Sequence, residues 1–312
     1  MTIAIDILYI VFSIMLVLWG AGKLTDGAVG VAARMGMPQI VIGLTIVAMG
    51  TSMPEFCVSL VSAVKGTPDM AVGNIVGSNI FNAMLIVGCA ALVAPMTILP
   101  STVRKDIPFA LVASAVLLVM CLDGTISRLD AAVLFVLFLI FMYVTLRGSK
   151  MSASDSGQEA GESMKPVKAV LFILLGLLGL IVGSNVFVSH ASSLAGAMGV
   201  SEAVVGLTVV AGGTSLPELA TSIVSARKGN SGIAIGNVLG SNVFNILFII
   251  GVIGLITPMT IQGITTVDLS MMIISMILLW LFSYTKYTIQ RWEGALLVAL
   301  YAGYMVWLIA NA

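Results

Sequence analysis

Long apolar runs, each ended by a short polar or Gly/Pro-rich stretch, follow one another along almost the whole chain. A helix needs about 20 apolar residues to cross the hydrocarbon core of a bilayer. On that measure the pattern predicts ten spans, over about residues 3–22, 39–64, 71–94, 107–122, 129–146, 167–190, 202–226, 232–256, 268–285 and 291–310. Residues 23–38, with Lys23, Asp26, Arg34 and several glycines, read as a polar connection. Residues 148–165 are rich in Ser, Gly and charge and read as a flexible linker. The expected organisation is a first five-helix repeat over 1–147, the linker, and a second five-helix repeat over 166–312. The fold class expected is an all-α integral membrane protein with broken helices 2 and 7. The first apolar run has no basic leader, with Asp6 its only charge, and is read as a retained span rather than a signal peptide.

Composition agrees. Hydrophobic residues make up 59% of the 312 and charged residues 9%, against about 25% charged in soluble domains. A net charge of zero gives no polyanion-binding signature, so no nucleic-acid partner is expected. The lipid bilayer is the one surrounding this composition implies, with no obligate protein partner. Basic residues set the orientation. With the N-terminus outside, twelve of the fourteen Lys and Arg fall on inner connections, leaving only Lys65 and Arg128 outside. Both termini are therefore expected outside and the linker in the cytoplasm.

Cys57, Cys89 and Cys121 lie in apolar runs without any CxxC spacing, which argues against disulfides or zinc and for small buried residues. Cys57 lies two residues past Glu55, close to the polar patch but not as a ligand. The 19 Met show no regular spacing and read as packing residues. His190, the single histidine, is expected as an interfacial polar residue.

The apolar pattern is interrupted twice in the same way. Gly50-Thr51-Ser52-Met53-Pro54-Glu55 has a twin at Gly213-Thr214-Ser215-Leu216-Pro217-Glu218. At an offset of 163, Val41–Ile98 lies on Val204–Ile261 without a gap, with roughly 30 of 58 positions identical. The shared positions include Gly-Thr-Ser-x-Pro-Glu, Gly-Asn, Gly-Ser-Asn-x-Phe-Asn and Pro-Met-Thr-Ile. Five spans per half is odd, so the second copy enters the membrane from the opposite side. Inverted repeats of this kind place a substrate site near the midplane at corresponding broken helices.

Ser52-x-x-Glu55 and Ser215-x-x-Glu218 also fit a capping box with proline in the first turn, so local capping is expected there. Capping alone does not call for two matching carboxylates in the membrane, each costing several kcal/mol. Glu55 and Glu218 are the only acids well inside apolar spans. Ser78 and Asn82, four apart, share a helix face, as do Ser241 and Asn245. Asn79 and Asn242, one position round, are open to a structural or a site-lining role. Carboxylates, amides, hydroxyls and carbonyls freed at helix breaks suit a hard cation such as Ca²⁺ or Na⁺, and the absence of His or Cys disfavours zinc, copper or iron. Two buried negative charges balance one Ca²⁺ and otherwise need Na⁺ or protons before the site reorients, which is the physical basis of antiport.

Two copies of Gly-Thr-Ser-x-Pro-Glu, each followed by Gly-Ser-Asn-x-Phe-Asn, resemble the calcium/cation antiporter superfamily and, within it, the sodium/calcium exchanger branch of prokaryotic type. The resemblance covers essentially the whole membrane domain. It implies an antiporter, not an enzyme and without a cofactor, that moves one Ca²⁺ against about three Na⁺. It implies Glu55 and Glu218 as bridging ligands, with Thr51 and Thr214 coordinating Ca²⁺ through backbone carbonyls. Ser52, Ser78, Ala48, Ser215, Ser241 and Ala211 would complete flanking Na⁺ positions, the alanines through their carbonyls. Asn82 and Asn245 would line the centre, and spans 1 and 6 would slide past the other eight. Asparagine at both central positions implies no K⁺ co-transport. Exchange of H⁺ for Ca²⁺ or another divalent is the near alternative. A cation channel and an intramembrane protease are alternatives of other classes. With no large cytoplasmic regulatory domain, a prokaryotic inner membrane is expected, without allosteric Ca²⁺ control.

Overall fold

The structure, a computed structural model, describes residues 2–152, 164–198 and 211–311. Its helices are α1 (Thr2–Met35), α2 (Gln39–Thr51), α3 (Met53–Val64), α4 (Pro68–Val93), α5 (Ile107–Cys121), α6 (Arg128–Ser152), α7 (Pro166–Ala197), α8 (Ala211–Thr214), α9 (Leu216–Arg227), α10 (Ser231–Ile256), α11 (Thr266–Tyr284) and α12 (Arg291–Asn311). Seven of the described helices are long and apolar enough to cross a membrane, and α2 with α3, bent by 46°, forms an eighth. Helix α5 has 15 residues, short for a span by itself, and follows directly on a π-helical turn at Thr102–Asp106. The first half of the expected seventh span, 202–210, lies outside the described residues, as do 153–163 of the expected linker.

Helices α4 and α10 are 78% buried over their most apolar windows, whereas the other long helices are 17–33% buried. They form the centre, and the outer helices turn apolar side chains such as Leu8, Leu129 and Val167 outward. That is the burial pattern of a protein whose outer solvent is hydrocarbon. The interior is correspondingly rich in polar groups: Glu55, Asn79, Asn82, Glu218, Asn242 and Asn245 are all buried.

The stretch expected as a connection after residue 22 is helical. Helix α1 runs unbroken for 34 residues, about 50 Å at 1.5 Å per residue. Its glycines are not turn residues. A Cβ on Gly20 would sit 2.8 Å from the Gly176 carbonyl oxygen, and one on Gly27 would sit 2.7 Å from that of Ala169. Glycine lets α1 and α7 approach backbone to backbone, and this contact outweighs the roughly 1 kcal/mol helix penalty of each glycine. Helices α7 and α6 likewise outrun their expected ends at 190 and 146.

The all-helical class holds, and two short strand ladders accompany the helices. Strands β1 (Met96–Thr97) and β4 (Thr288–Ile289) pair antiparallel, as do β2 (Thr125–Ile126) and β3 (Met259–Thr260). Adding 163 to the numbers of β1 gives β3, and adding it to β2 gives β4, so exchanging the halves exchanges the two ladders.

Candidate cation site

Each half breaks a helix at a serine. Ser52 (φ −82°, ψ 8°) separates α2 from α3, and Ser215 (φ −90°, ψ 8°) separates α8 from α9. Pro54 and Pro217 have no N–H, so the carbonyls of Gly50 and Gly213 lose their helical partners. The new helix in each half carries its glutamate in the first turn. Neither serine caps its own helix, which corrects the capping expectation. Each hydroxyl crosses to the other half instead: Ser52 Oγ donates to Glu218 Oε1 at 2.9 Å, and Ser215 Oγ to Glu55 Oε1 at 2.8 Å. A capping bond is local, and a buried carboxylate is the stronger acceptor.

The other ligand candidates come from α4 and α10, in which π-helical turns at Phe81–Ile86 and Phe244–Ile250 include Asn82 and Asn245. Such turns often mark functional positions. Ser78 Oγ lies 3.2 Å from Ser215 Oγ, and Ser241 is fully buried. Asn82 Nδ2 donates to Asn242 Oδ1 and Asn245 Nδ2 to Asn79 Oδ1, each at 3.0 Å. Glu55 and Glu218 are 1% and 0% exposed. Among the described residues, eight buried side-chain oxygens have no hydrogen-bond partner, and five belong to this cluster: Glu55 Oε2, Glu218 Oε2, Asn82 Oδ1, Asn245 Oδ1 and Ser241 Oγ. Four of the five form two pairs related by the offset of 163: two amide oxygens, which only accept, and two carboxylate oxygens, which only accept while ionised. An unmade bond to a buried oxygen costs about 1–3 kcal/mol, more for a carboxylate. A cation is the partner that would satisfy all four together, and an all-oxygen set suits Na⁺ or Ca²⁺. No cluster of three or more His, Cys, Asp or Glu exists among the described residues.

Thr51 Oγ1 donates to Asn237 Oδ1 at 3.0 Å and lies 3.3 Å from the Ala48 carbonyl oxygen. Thr214 closes α8, which Ala211 opens.

The reading of the motifs missed Asn74 and Asn237. Asn74 Nδ2 donates to the Glu55 carbonyl at 3.3 Å and to Ser59 Oγ at 2.9 Å; Asn237 Nδ2 donates to the Glu218 carbonyl at 3.3 Å and to Ser222 Oγ at 3.0 Å. The signal for them was the Gly-Asn identity within the repeat. Cys57 is exposed, and Cys89 and Cys121 are half-buried, so none is the buried residue expected and Cys57 does not line the site. His190 stacks on Tyr9 with ring centroids 4.3 Å apart and reaches Asp6 Oδ1 at 2.8 Å, joining α7 to α1.

The profile of the family described as sodium/calcium exchanger protein matches residues 5–147 and 168–310. The inner membrane protein YrbG of Escherichia coli (strain K12) is 37% identical over 308 residues, covering 96% of this chain and 94% of that protein. The sodium/calcium exchanger MaX1 of Methanosarcina acetivorans is 30% identical over 349 residues, covering 97% of this chain and 98% of its own length. Among solved structures, the sodium-calcium exchanger NCX_Mj superposes with a TM-score of 0.86 at 31% identity, over 98% of this chain and 99% of that one. With both halves matched and the relatives covered nearly end to end, the chain belongs to the sodium/calcium exchanger family.

Proposed function

We propose that this chain is a secondary-active antiporter that exchanges Na⁺ for Ca²⁺ across the membrane by alternating access, as an electrogenic Ca²⁺ extruder. The observation that carries the reading is the set of four buried oxygens, one carboxylate and one amide from each half, left without partners in the protein. Family membership supports the ions: MaX1 is a sodium/calcium exchanger, and NCX_Mj is one whose solved forms were soaked with Na⁺, Ca²⁺ or Sr²⁺. Two carboxylates neutralise one Ca²⁺. Three Na⁺ on the same ligands would carry one more positive charge, which makes the exchange electrogenic.

Ten spans in two inverted five-helix repeats, 1–147 and 166–312, complete this reading. The exchange of the two strand ladders and the crossed serine–glutamate bonds support a two-fold relation between the halves. The charge split puts both termini outside and the 148–165 linker in the cytoplasm, and the inner-membrane relative YrbG supports a cell inner membrane. Glu55 and Glu218 bridge the ions. The carbonyls of Thr51 and Thr214 join them on Ca²⁺. Ser52, Ser78, Ala48, Ser215, Ser241 and Ala211 flank the centre as Na⁺ positions, and Asn82 and Asn245 line it. No protein partner or cofactor enters the cycle.

The test is ⁴⁵Ca²⁺ uptake into vesicles holding the purified chain. An outward Na⁺ gradient should drive uptake that a pH gradient alone does not. Uptake driven by the pH gradient only would replace Na⁺ with H⁺ as counter-ion. Flux needing no counter-ion would make the protein a channel.

A further inference from the structure

Asn79 and Asn242 sit at the contact between α4 and α10, 0% and 1% exposed. Their main chains and side chains are bonded reciprocally. Asn79 Nδ2 donates to the Asn242 carbonyl at 3.2 Å, and Asn242 Nδ2 to the Asn79 carbonyl at 3.3 Å. A main-chain carbonyl can only accept, so each of these amides has to present its NH₂ group there. That choice decides the other end of the amide. Asn79 Oδ1 is directed at Asn245 and Asn242 Oδ1 at Asn82. Asn245 and Asn82 then have to present NH₂ in turn, and their own oxygens point away, as two of the buried, partnerless acceptors of the site. An asparagine amide is nearly isosteric with its flipped form, and only the bonding network distinguishes the two.

We infer that Asn79 and Asn242 are positioning residues that set the polarity of the site amides, holding Asn245 and Asn82 with oxygen toward the cation and NH₂ away. The inference rests on the proposed Na⁺/Ca²⁺ site and adds what makes two neutral amides act as cation ligands. Flipped, either amide would turn a hydrogen-bond donor on a cation. The relay is crossed: Asn79 of the first half orients Asn245 of the second, and Asn242 orients Asn82. Each half therefore depends on the other for the orientation of its own ligand.

The crossing supplies the test. Removing the acceptor in Asn79→Ala frees Asn245 to flip. Loss of a group that orients a metal ligand commonly lowers affinity about 10- to 100-fold, and Asn79→Ala should lower Ca²⁺ affinity by about that factor. A carboxylate presents oxygen whichever way it turns, so in an Asn245→Asp background the same Asn79→Ala change should alter Ca²⁺ affinity less than about 3-fold, as an orientation relay predicts for coupled residues. Rescue should be specific to the crossed partner: Asn245→Asp for Asn79→Ala, Asn82→Asp for Asn242→Ala. The readout is equilibrium ⁴⁵Ca²⁺ binding to purified full-length protein, so a loss of yield does not enter. Unchanged affinity in Asn79→Ala, or equal rescue by both aspartates, would overturn the relay. If the wild type neither binds nor moves Ca²⁺, the proposed function fails instead. The same crossed cycle is then read on Na⁺-induced thermal stabilisation, where absence of crossed rescue overturns the relay.

Discussion

The two helix breaks have the same chemistry and different surroundings. Below Glu218, α9 carries Thr221, Ser222 and Ser225, all 0% exposed. Helix α1 packs along them, with Thr25 Oγ1 3.0 Å from Ser225 Oγ and Lys228 Nζ donating to Asp26 Oδ1 at 2.6 Å. The counterparts on α3 are Val58, Ser59 and Ser62, with Cys57 exposed before them and Val61 exposed among them. By the offset of 163, Thr25 corresponds to Val188 and Asp26 to Ser189. The proposed ligand positions thus match across the offset of 163, whereas α1 and α7 and the faces of α3 and α9 beside them differ. In the proposed alternating-access cycle, unequal flanks would let one fixed site between the halves open to one side at a time.

The comparison breaks most decisively at the carboxylates. Glu55→Gln and Glu218→Gln should each lower Na⁺-driven ⁴⁵Ca²⁺ uptake by more than about 100-fold, because each removes half of the charge proposed to neutralise the ion at a buried position. Near-normal flux in either variant would mean that the halves do not contribute equally and would refute the site. Glu202→Gln, outside the described residues, should leave flux unchanged.

The crossed serines come next. Each donates a bond to a buried carboxylate, worth about 1.5–3 kcal/mol when the acceptor is charged. Ser52→Ala and Ser215→Ala should therefore each lower Ca²⁺ affinity by about 10- to 100-fold on that scale. Ser215→Ala should be the more severe, since Ser215 also meets Ser78. Equal losses measured by ⁴⁵Ca²⁺ binding would show that the Ser78 contact contributes nothing.

These residues also show what one sequence discloses. Glu55 and Glu218 are conspicuous in it because the cost of a carboxylate in an apolar span is a local property, and the repeat doubles the signal. Where Ser52 and Ser215 direct their hydroxyls is not local. The capping pattern is satisfied in the sequence and absent in the fold, because the competing acceptor lies 166 or 160 residues away. The length of α1 was hidden for the same reason. Its glycines and charges imitate a connection, and the α7 backbone against Gly20 and Gly27 accounts for glycines there, as Lys228 just past α9 does for Asp26. The β-ladders had a sequence trace in Thr125-Ile126-x-Arg128 and Thr288-Ile289-x-Arg291, which continue the offset of 163 beyond Ile98. A shared tetrapeptide pattern carries no information about which strand pairs with which.

A smaller effect separates the two Gly-Asn asparagines. Asn237 is fully buried and joins Thr51, Ser222 and the Glu218 carbonyl, while Asn74 is half-buried and joins Ser59 and the Glu55 carbonyl. Each substitution to Ala strands buried partners at about 1–3 kcal/mol. Asn237→Ala should lower the melting temperature more than Asn74→Ala, and the reverse order would show that the half around Glu55 is the better packed.

The smallest effect tests the unequal flank itself. The Asp26–Lys228 pair is 43% and 37% exposed at its side chains, and such pairs contribute about 0–1 kcal/mol. Lys228→Ala should therefore change the rate of exchange by less than about 5-fold. It should still favour opening on the α9 side, because Thr25 and Ser225 then hold α1 against α9 without the ion pair. A cysteine placed at Thr221, which leaves the Thr25–Ser225 contact intact, should react faster with a membrane-impermeant maleimide in inside-out vesicles when Lys228 is Ala, while Lys65→Ala should leave that rate unchanged. The gain should shrink as salt rises, since at about 1 M the screening length is near 3 Å and the wild-type pair is weakened as well. A labelling rate indifferent to Lys228 at every salt concentration would place the closure of this flank in the hydroxyl contact and the apolar packing alone.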